Sequence, residues 1–350
     1  RVITMSKTKK LLAAALSGVM ALSMAACGGN AGNNTGSTPS SAGGSAAGST
    51  GGKAGSYTVG ICQLTQHPAL DAATKGFRDK LTELVEANDG SVEFNEQNAS
   101  GESPNCATII NGFVSSNVDL ILANATASLQ AAQTGTVDIP ILGTSVTDYA
   151  TALGMPEWNG TTGVNISGTT DLAPLDGQAE MLHEMFPDAK KVGLLYCSSE
   201  ANSKYQIDVI KPLLKDFGYE CTEYTFTDTN DVAAVAATAA AASDVMYIPT
   251  DNVAASCAEA IGNVVIPEKV PVIAGEEGIC KGCGVATLSI DYYELGEVTG
   301  EMAYDILVNG ADPATMEIRP APNFTKKYAE ANCQALDITP PDGYEAIAAE

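Results

Sequence analysis

The sequence predicts an α/β fold built as two similar halves, and three of its features predict that. From Tyr57 onward, short apolar segments rich in β-formers alternate with longer segments of helical period, the pattern of parallel strands joined by crossover helices. The pattern then starts again midway along the chain. Roughly 295 residues lie beyond the N-terminal segments, more than a single hydrophobic core usually serves.

The first strand is "YTVGICQ", and "LTQHP" leads from it into the helix "ALDAATKGFRDKLTELVEA". In that helix Leu70, Ala73, Phe77, Leu81 and Leu84 recur at spacings of three and four and so share one face. Pro68 suits its first turn, where a missing N–H costs nothing. The strands "SVEFNEQ", "VDLILAN" and "IPILGTS" follow, separated by helical stretches, and "TTGVNIS" closes the first half. In the second half the helix "DLAPLDGQAEMLHEMF" precedes "KKVGLLYCS", "SKYQIDVIKPLLKDFG" precedes "YECTEYTFT", an Ala-rich helix precedes "SDVMYIPTD", and another helix precedes "VPVIAGEE". After the strand "GVATLSI", a helix from about Tyr292 to Asn309 and the strand "MEIRP" take the chain back between the halves. The remainder, from Pro322, reads as a helix and tail packed on one of them.

The strands share a grammar. "GICQLTQHP", "ILANATAS", "ILGTSVTD", "LLYCSSEANS", "YIPTDN" and "VIAGEEG" each run apolar and then break into hydroxyls, amides or carboxylates. A strand buried on both faces is a continuous apolar run, so the polar burst marks its carboxyl end. In open parallel sheets that edge, with the helix N-termini beyond it, is where ligands bind. Ser, Thr, Asp and Asn also cap helices, which explains any one of these ends alone. Six such ends on two halves point to a shared cleft.

The N-terminal segment Met5 to Ala26 has a basic start, a short apolar stretch and small residues before Cys27, the marks of a secretion signal. Residues 28–55 are almost entirely Gly, Ser, Ala, Asn and Thr, too poor in apolar surface to fold, and read as a flexible tether. Beyond Cys27 the chain carries 14 basic against 42 acidic residues, a net −28, which repels nucleic acid. Arg78 and Arg319 are its only arginines there, so a ligand needing an arginine clamp is disfavoured and a neutral, zwitterionic or cationic one favoured. Eight cysteines remain: Cys62, Cys106, Cys197, Cys221, Cys257, Cys280, Cys283 and Cys333. Their spacings specify no pairing, and "CKGCG" reads as a loop disulfide or two free thiols.

"HPALDAATKGF", "TSVTD", "LLYCSSEANS", "YIPTDN", "IAGEEG" and "LSIDYYELG" resemble, in order and spacing, the substrate-binding lipoproteins of ABC importers in the family that includes tryptophan-binding and other aromatic amino-acid-binding members. The end of the signal, "MAAC" before Gly28, resembles a lipobox, which implies that the Cys27 thiol carries a diacylglyceryl anchor. The resemblance implies a type I periplasmic-binding-protein fold, with two Rossmann-like lobes, parallel sheets and three crossovers. The lobes are expected at 57–168 plus 285–314 and at 169–284 plus 315–350. It further implies an extracytoplasmic monomer on the outer face of the membrane, delivering a ligand such as tryptophan to an ABC permease and ATPase.

Carried over by motif, the first lobe offers Gln63, His67, Thr126, Ser145 and Thr147. The second offers Ser198, Ser199, Glu200, Thr250, Asp251 and Asn252, and Glu276 and Asp291 fall near the hinge. Cleft carboxylates suit a ligand ammonium, and hydroxyls and helix N-termini suit its carboxylate. Asp251 is the first choice for the ammonium, with Glu200 or Glu276 as alternatives, and as an exposed cleft residue it is expected to carry little fold stability. Ser145, Thr147 and the backbone after Gln63 are candidates for the carboxylate, and Tyr149, Trp158 and Tyr292 for aromatic contacts. Cys62 and Cys197 depart from the family pattern beside the expected pocket. No cofactor, metal or catalytic residue is assigned. The alternatives are a lipid-anchored sensor of the same fold and, more weakly, an enzyme using His67 or the Cys280/Cys283 pair, for which no spacing joins a nucleophile, a base and an orienting acid.

Overall fold

The structure, a computed structural model, describes residues 55–348. The signal segment, Cys27 and nearly all of the tether lie outside them. In the first half, β1 (Ser56–Gln63), α1 (Pro68–Glu86), β2 (Ser91–Asn98), α2 (Ser103–Ser116), β3 (Leu120–Asn124), α3 (Thr126–Gly135), β4 (Ile141–Val146), α4 (Tyr149–Leu153) and β5 (Ile166–Thr170) alternate. Next come α5 (Leu175–Met185), β6 (Lys191–Cys197), α6 (Ala201–Asp216), β7 (Glu220–Phe226), α7 (Val232–Ala242), β8 (Val245–Ile248), α8 (Asn252–Ser256), α9 (Ala258–Val265), β9 (Val272–Ala274), α10 (Glu277–Cys283) and β10 (Ala286–Ser289). The chain ends through α11 (Tyr292–Leu307), β11 (Arg319–Pro320), β12 (Thr325–Tyr328), α12 (Glu330–Ala335) and β13 (Glu345–Ala346).

Two sheets result, ordered β11-β5-β4-β3-β1-β2 and β13-β12-β10-β9-β8-β6-β7. Within each, the five principal strands lie in the order second, first, third, fourth, fifth, and all pair in parallel. The halves therefore share one doubly wound topology, although their sequences show no residue-level repeat. That order places a topological switch point beside the first strand of each half, at β1/β3 and at β6/β8. Each sheet is buried on both faces. Phe77, Leu81, Leu122 and Met302 lie on one side of the first and Ile110, Phe113, Ile121 and Leu129 on the other.

The chain passes between the lobes after β5, after β10 and after β11, giving the three crossovers. The lobe boundaries fall differently from the expectation at two points. Residues 286–289, assigned to the first lobe, form β10, which pairs with β9 in the second sheet. Arg319 and Pro320, assigned to the second lobe, pair with β5 in the first. Two strands also shift. The strand expected in "TTGVNIS" begins only at Ile166, because Gly163 turns the chain at φ +67°. In the tail read as a helix, Thr325–Tyr328 instead adds an antiparallel strand to β10. The eight cysteines are free thiols, and Cys280 and Cys283 lie in the core on α10 rather than in a loop.

One packing contact sets the frame of the first lobe. A Cβ on Gly296 of α11 would stand 2.1 Å from the carbonyl oxygen of Ala73 in α1, and one on Gly76 would stand 2.1 Å from that of Tyr293. The two helices thus touch backbone to backbone, closer than any side chain permits. Their N-termini carry His67 and Tyr292 to the same edge of the sheet.

Candidate functional site

The two carboxyl edges face each other, and the lobes touch across the gap. His67, at the N-cap of α1, brings Nε2 to 3.3 Å from Oδ1 of Asn252 at the start of α8. The Tyr292 hydroxyl donates to Asp171 Oδ2 at 3.0 Å. Thr147 donates to Asp171 Oδ1 at 3.2 Å. Asp171 stands just past β5, at the first crossover, and is buried.

Backbone conformation singles out the same edge. Ser145, near the end of β4, has φ +53° at a register shift in the β4–β5 ladder, and Ala125, between β3 and α3, has φ +91°. Such left-handed geometry in a non-glycine residue costs roughly 1–3 kcal/mol and gathers at binding sites. Three buried polar atoms at this edge have no partner: Ser145 Oγ, His67 Nδ1 and Oδ1 of Asn124 at the end of β3. A buried polar atom left unmet is costly, so each marks a place where a ligand group fits.

The electrostatics of the seam are one-sided. Burial pushes the carboxyl of Asp171 up to about 6, against the hydrogen bonds from Tyr292 and Thr147. Burial, with the Glu200 charge beside it, pushes Asp251 up to about 7. Burial likewise raises Glu276 to about 7, with Glu277 and Asp171 adding repulsion. Burial lowers the pKa of His67 and so favours its neutral form. Backbone N–H groups and hydroxyls hold these carboxylates, and the charges beside them are those of other carboxylates: Glu200 at Asp251, and Glu277 and Asp171 at Glu276. A closed cleft of that kind calls for a cation.

The expected residues divide by what their side chains already do. Gln63 serves its own lobe, donating to Thr65 O at 2.8 Å and Asp71 Oδ1 at 2.6 Å and accepting from Thr74 at 2.7 Å. Thr126, buried, opens α3 at the cleft edge. Ser198 and Ser199 are exposed, and their hydroxyls tie down the end of β7 through Phe226 O and Thr227 O. Glu200 accepts from the backbone of Asn252 and Val253 at the start of α8. Thr250 donates to Gly275 O. Glu276 caps α10 through the N–H groups of Gly278 and Ile279. Asp291, exposed, caps α11.

Asp251 is the sharpest difference from the sequence reading. It is 1% exposed, not an open cleft residue. Its Oδ1 caps α8 at Ala254 N, 2.8 Å, and its Oδ2 accepts from Cys197 N at 2.7 Å, tying β6 to β8. Asp251→Ala is therefore expected to lower the apo stability by about 2 kcal/mol, through loss of a cap and of a buried bond, as urea unfolding would register. Asp171 is the carboxylate that sequence reasoning missed; it is buried between residues of three separate segments. Tyr149 is buried with its hydroxyl on Thr169 O at 3.1 Å, and Trp158 stacks on it from outside.

Cys280 and Cys283 are buried in the second lobe's core, where burial raises both thiol pKa values and keeps the nucleophilic thiolate scarce.

Two doubly wound lobes, joined by three crossovers and meeting at their strand ends, define a type I periplasmic-binding-protein fold. The chain belongs to the ABC transporter substrate binding protein family, whose profile matches residues 58–350. It is 35% identical over 304 residues to a tyrosine-binding protein of Clostridioides difficile (strain R20291), covering 87% of this chain and 85% of that one. Among solved structures, an ABC domain in complex with L-Trp from Streptococcus pneumoniae is 28% identical, with a TM-score of 0.77 over 83% of this chain and all of that one. A ligand-free, open substrate binding protein with adhesive properties from Clostridium difficile is 34% identical, with a TM-score of 0.63 over 84% of this chain and all of that one. This chain, whose lobes touch, superposes better on the complex despite the lower identity. Among the described residues no helix is long and apolar enough to cross a membrane.

Proposed function

We propose that this chain captures an aromatic amino acid between its lobes and hands it to an ABC permease and ATPase, tethered to the outer face of the membrane through a lipidated Cys27. The observation that carries the reading is Asp171: a buried carboxylate at the crossover, held by two hydroxyls, with the buried Glu276 carboxylate as its charged neighbour. A ligand ammonium meets that need, and tyrosine, for which one relative is named, and the L-Trp bound in another both carry one. Of the two hydroxyls expected to meet the ligand carboxylate, Ser145 Oγ has no partner and is the candidate, whereas the one O–H of Thr147 goes to Asp171. Closure over the ligand is a shift between open and closed populations that gives the permease one shape to read.

Calorimetric titration with L-tyrosine and L-tryptophan, followed by recovery of unaltered ligand, tests the reading and separates binding from catalysis. The affinity should depend on pH with a defined sign. The ammonium prefers ionised Asp171, which the empty fold holds at about 6 instead of 3.8. Below that value binding must first expel a proton, so affinity falls by up to about tenfold per pH unit on acidification and is flat above about pH 7. The empty fold behaves oppositely. Its carboxylates at Asp171, Asp251 and Glu276 bind protons more tightly than the unfolded chain does, so apo stability falls as pH rises from about 4 to about 7. Melting curves with and without ligand check both signs.

The adhesive relative supports a second reading, in which the anchored chain also binds surfaces. Loss of labelled amino-acid uptake on deletion favours import; unchanged uptake favours the second reading.

A further inference from the structure

We propose that His67 meets the ligand as a hydrogen-bond acceptor of fixed tautomer and, with the ligand's ammonium assigned to Asp171, that the donor it meets is an O–H or N–H of the bound amino acid's side chain. The proposal rests on the amino-acid reading above and deepens it from substrate class to side-chain selectivity.

A chain of hydrogen bonds runs outward from Glu200. Its Oε1 accepts from Val253 N at 2.9 Å, and its Oε2 from Asn252 N at 3.1 Å, Asn252 Nδ2 at 2.7 Å and Asn202 Nδ2 at 2.9 Å. All four partners are N–H donors, so the carboxylate acts only as an acceptor. The Asn252 amide is thereby oriented, with Nδ2 toward Glu200 and Oδ1 toward His67. An amide oxygen has only lone pairs to offer. The His67 Nε2 facing it at 3.3 Å must then carry the hydrogen. Burial favours the neutral ring, against the charge of nearby Asp71, so one proton is available and Nε2 holds it. Nδ1 is left as a bare lone pair, sealed from solvent and without a partner.

A phenol O–H or an indole N–H can satisfy that lone pair, and a phenyl ring or an alkyl chain cannot. Of the other unmet atoms at this edge, Ser145 Oγ adds no such preference, because a hydroxyl rotates to donate or accept, and Asn124 Oδ1 is an acceptor that a second ligand N–H can meet. Glu200 and Asn252 are thus positioning residues. They act on the ligand through the tautomer of His67.

The tautomer can be read directly, since the chain has only two histidines. The ¹⁵N resonances of the His67 ring, assigned with a His183→Gln variant, should show a protonated Nε2 and an unprotonated Nδ1 at neutral pH. Titrations with L-tyrosine, L-tryptophan, L-phenylalanine and O-methyl-L-tyrosine should show the last two binding roughly 10- to 100-fold more weakly than the better of the first two. His67→Phe should bring that ratio close to one. A protonated Nδ1, or L-phenylalanine binding as tightly as the donors, overturns the proposal. If none of the four binds, the amino-acid reading fails, and the ring spectrum alone decides whether His67 is the acceptor described.

Discussion

Asp171→Asn should abolish amino-acid binding while leaving the empty protein as stable as before or more so. The amide is nearly isosteric: its oxygen can accept from one of Thr147 and Tyr292, whose hydroxyls lie 3.2 and 3.0 Å away, and its NH2 can donate to the hydroxyl oxygen of the other. What it removes is the charge. In the empty fold that charge is a burden, since burial already pushes the carboxyl up to about 6. In the complex the charge balances an ammonium that has left water, and breaking a buried ion pair from one side typically costs about 3–5 kcal/mol. Affinity should therefore drop at least about 100-fold. A residue that merely supported the fold would show the reverse: a lower melting temperature and a modest change in affinity. Calorimetry and thermal melting on one preparation distinguish the two.

The second large effect is expected far from the ligand. Gly296→Ala places a methyl group 2.1 Å from Ala73 O and 2.8 Å from Phe77 N, both backbone atoms of a buried helix that cannot turn aside as a side chain would. The helices must separate, and overpacking of this kind costs about 2–3 kcal/mol. The melting temperature should fall by roughly 5–10 °C. Since α1 and α11 carry His67 and Tyr292 at their N-termini, affinity should fall as well. An unchanged melting temperature would mean that the helix contact is looser than described.

The fold was legible in the chain because buried parallel strands are unbroken apolar runs, and "VDLILAN" or "SDVMYIPTD" permits little else. The cleft was legible from the polar breaks that end them. The division of labour within those breaks was not. Asp251 and Glu276 are helix caps, and a cap and a ligand contact use the same residue types, so position alone does not separate them. Asp171 stands in "TTDLAPL", a crossover without periodicity, and its partners Thr147 and Tyr292 lie 24 and 121 residues away. Only folding brings the three together. The strand Thr325–Tyr328 was hidden for a similar reason. It is short and carries two lysines, and its pairing with β10 spans a return from the other lobe.

The central element is a carboxylate at the crossover that holds the ligand's ammonium between two closed lobes. A crystal structure of the complex with L-tyrosine, grown near neutral pH, measures this directly. The account predicts the α-ammonium within hydrogen-bonding distance of Asp171, enclosed by residues of both lobes. A ligand bound outside the cleft, or one whose ammonium rests elsewhere while Asp171 keeps only Thr147 and Tyr292, would contradict it.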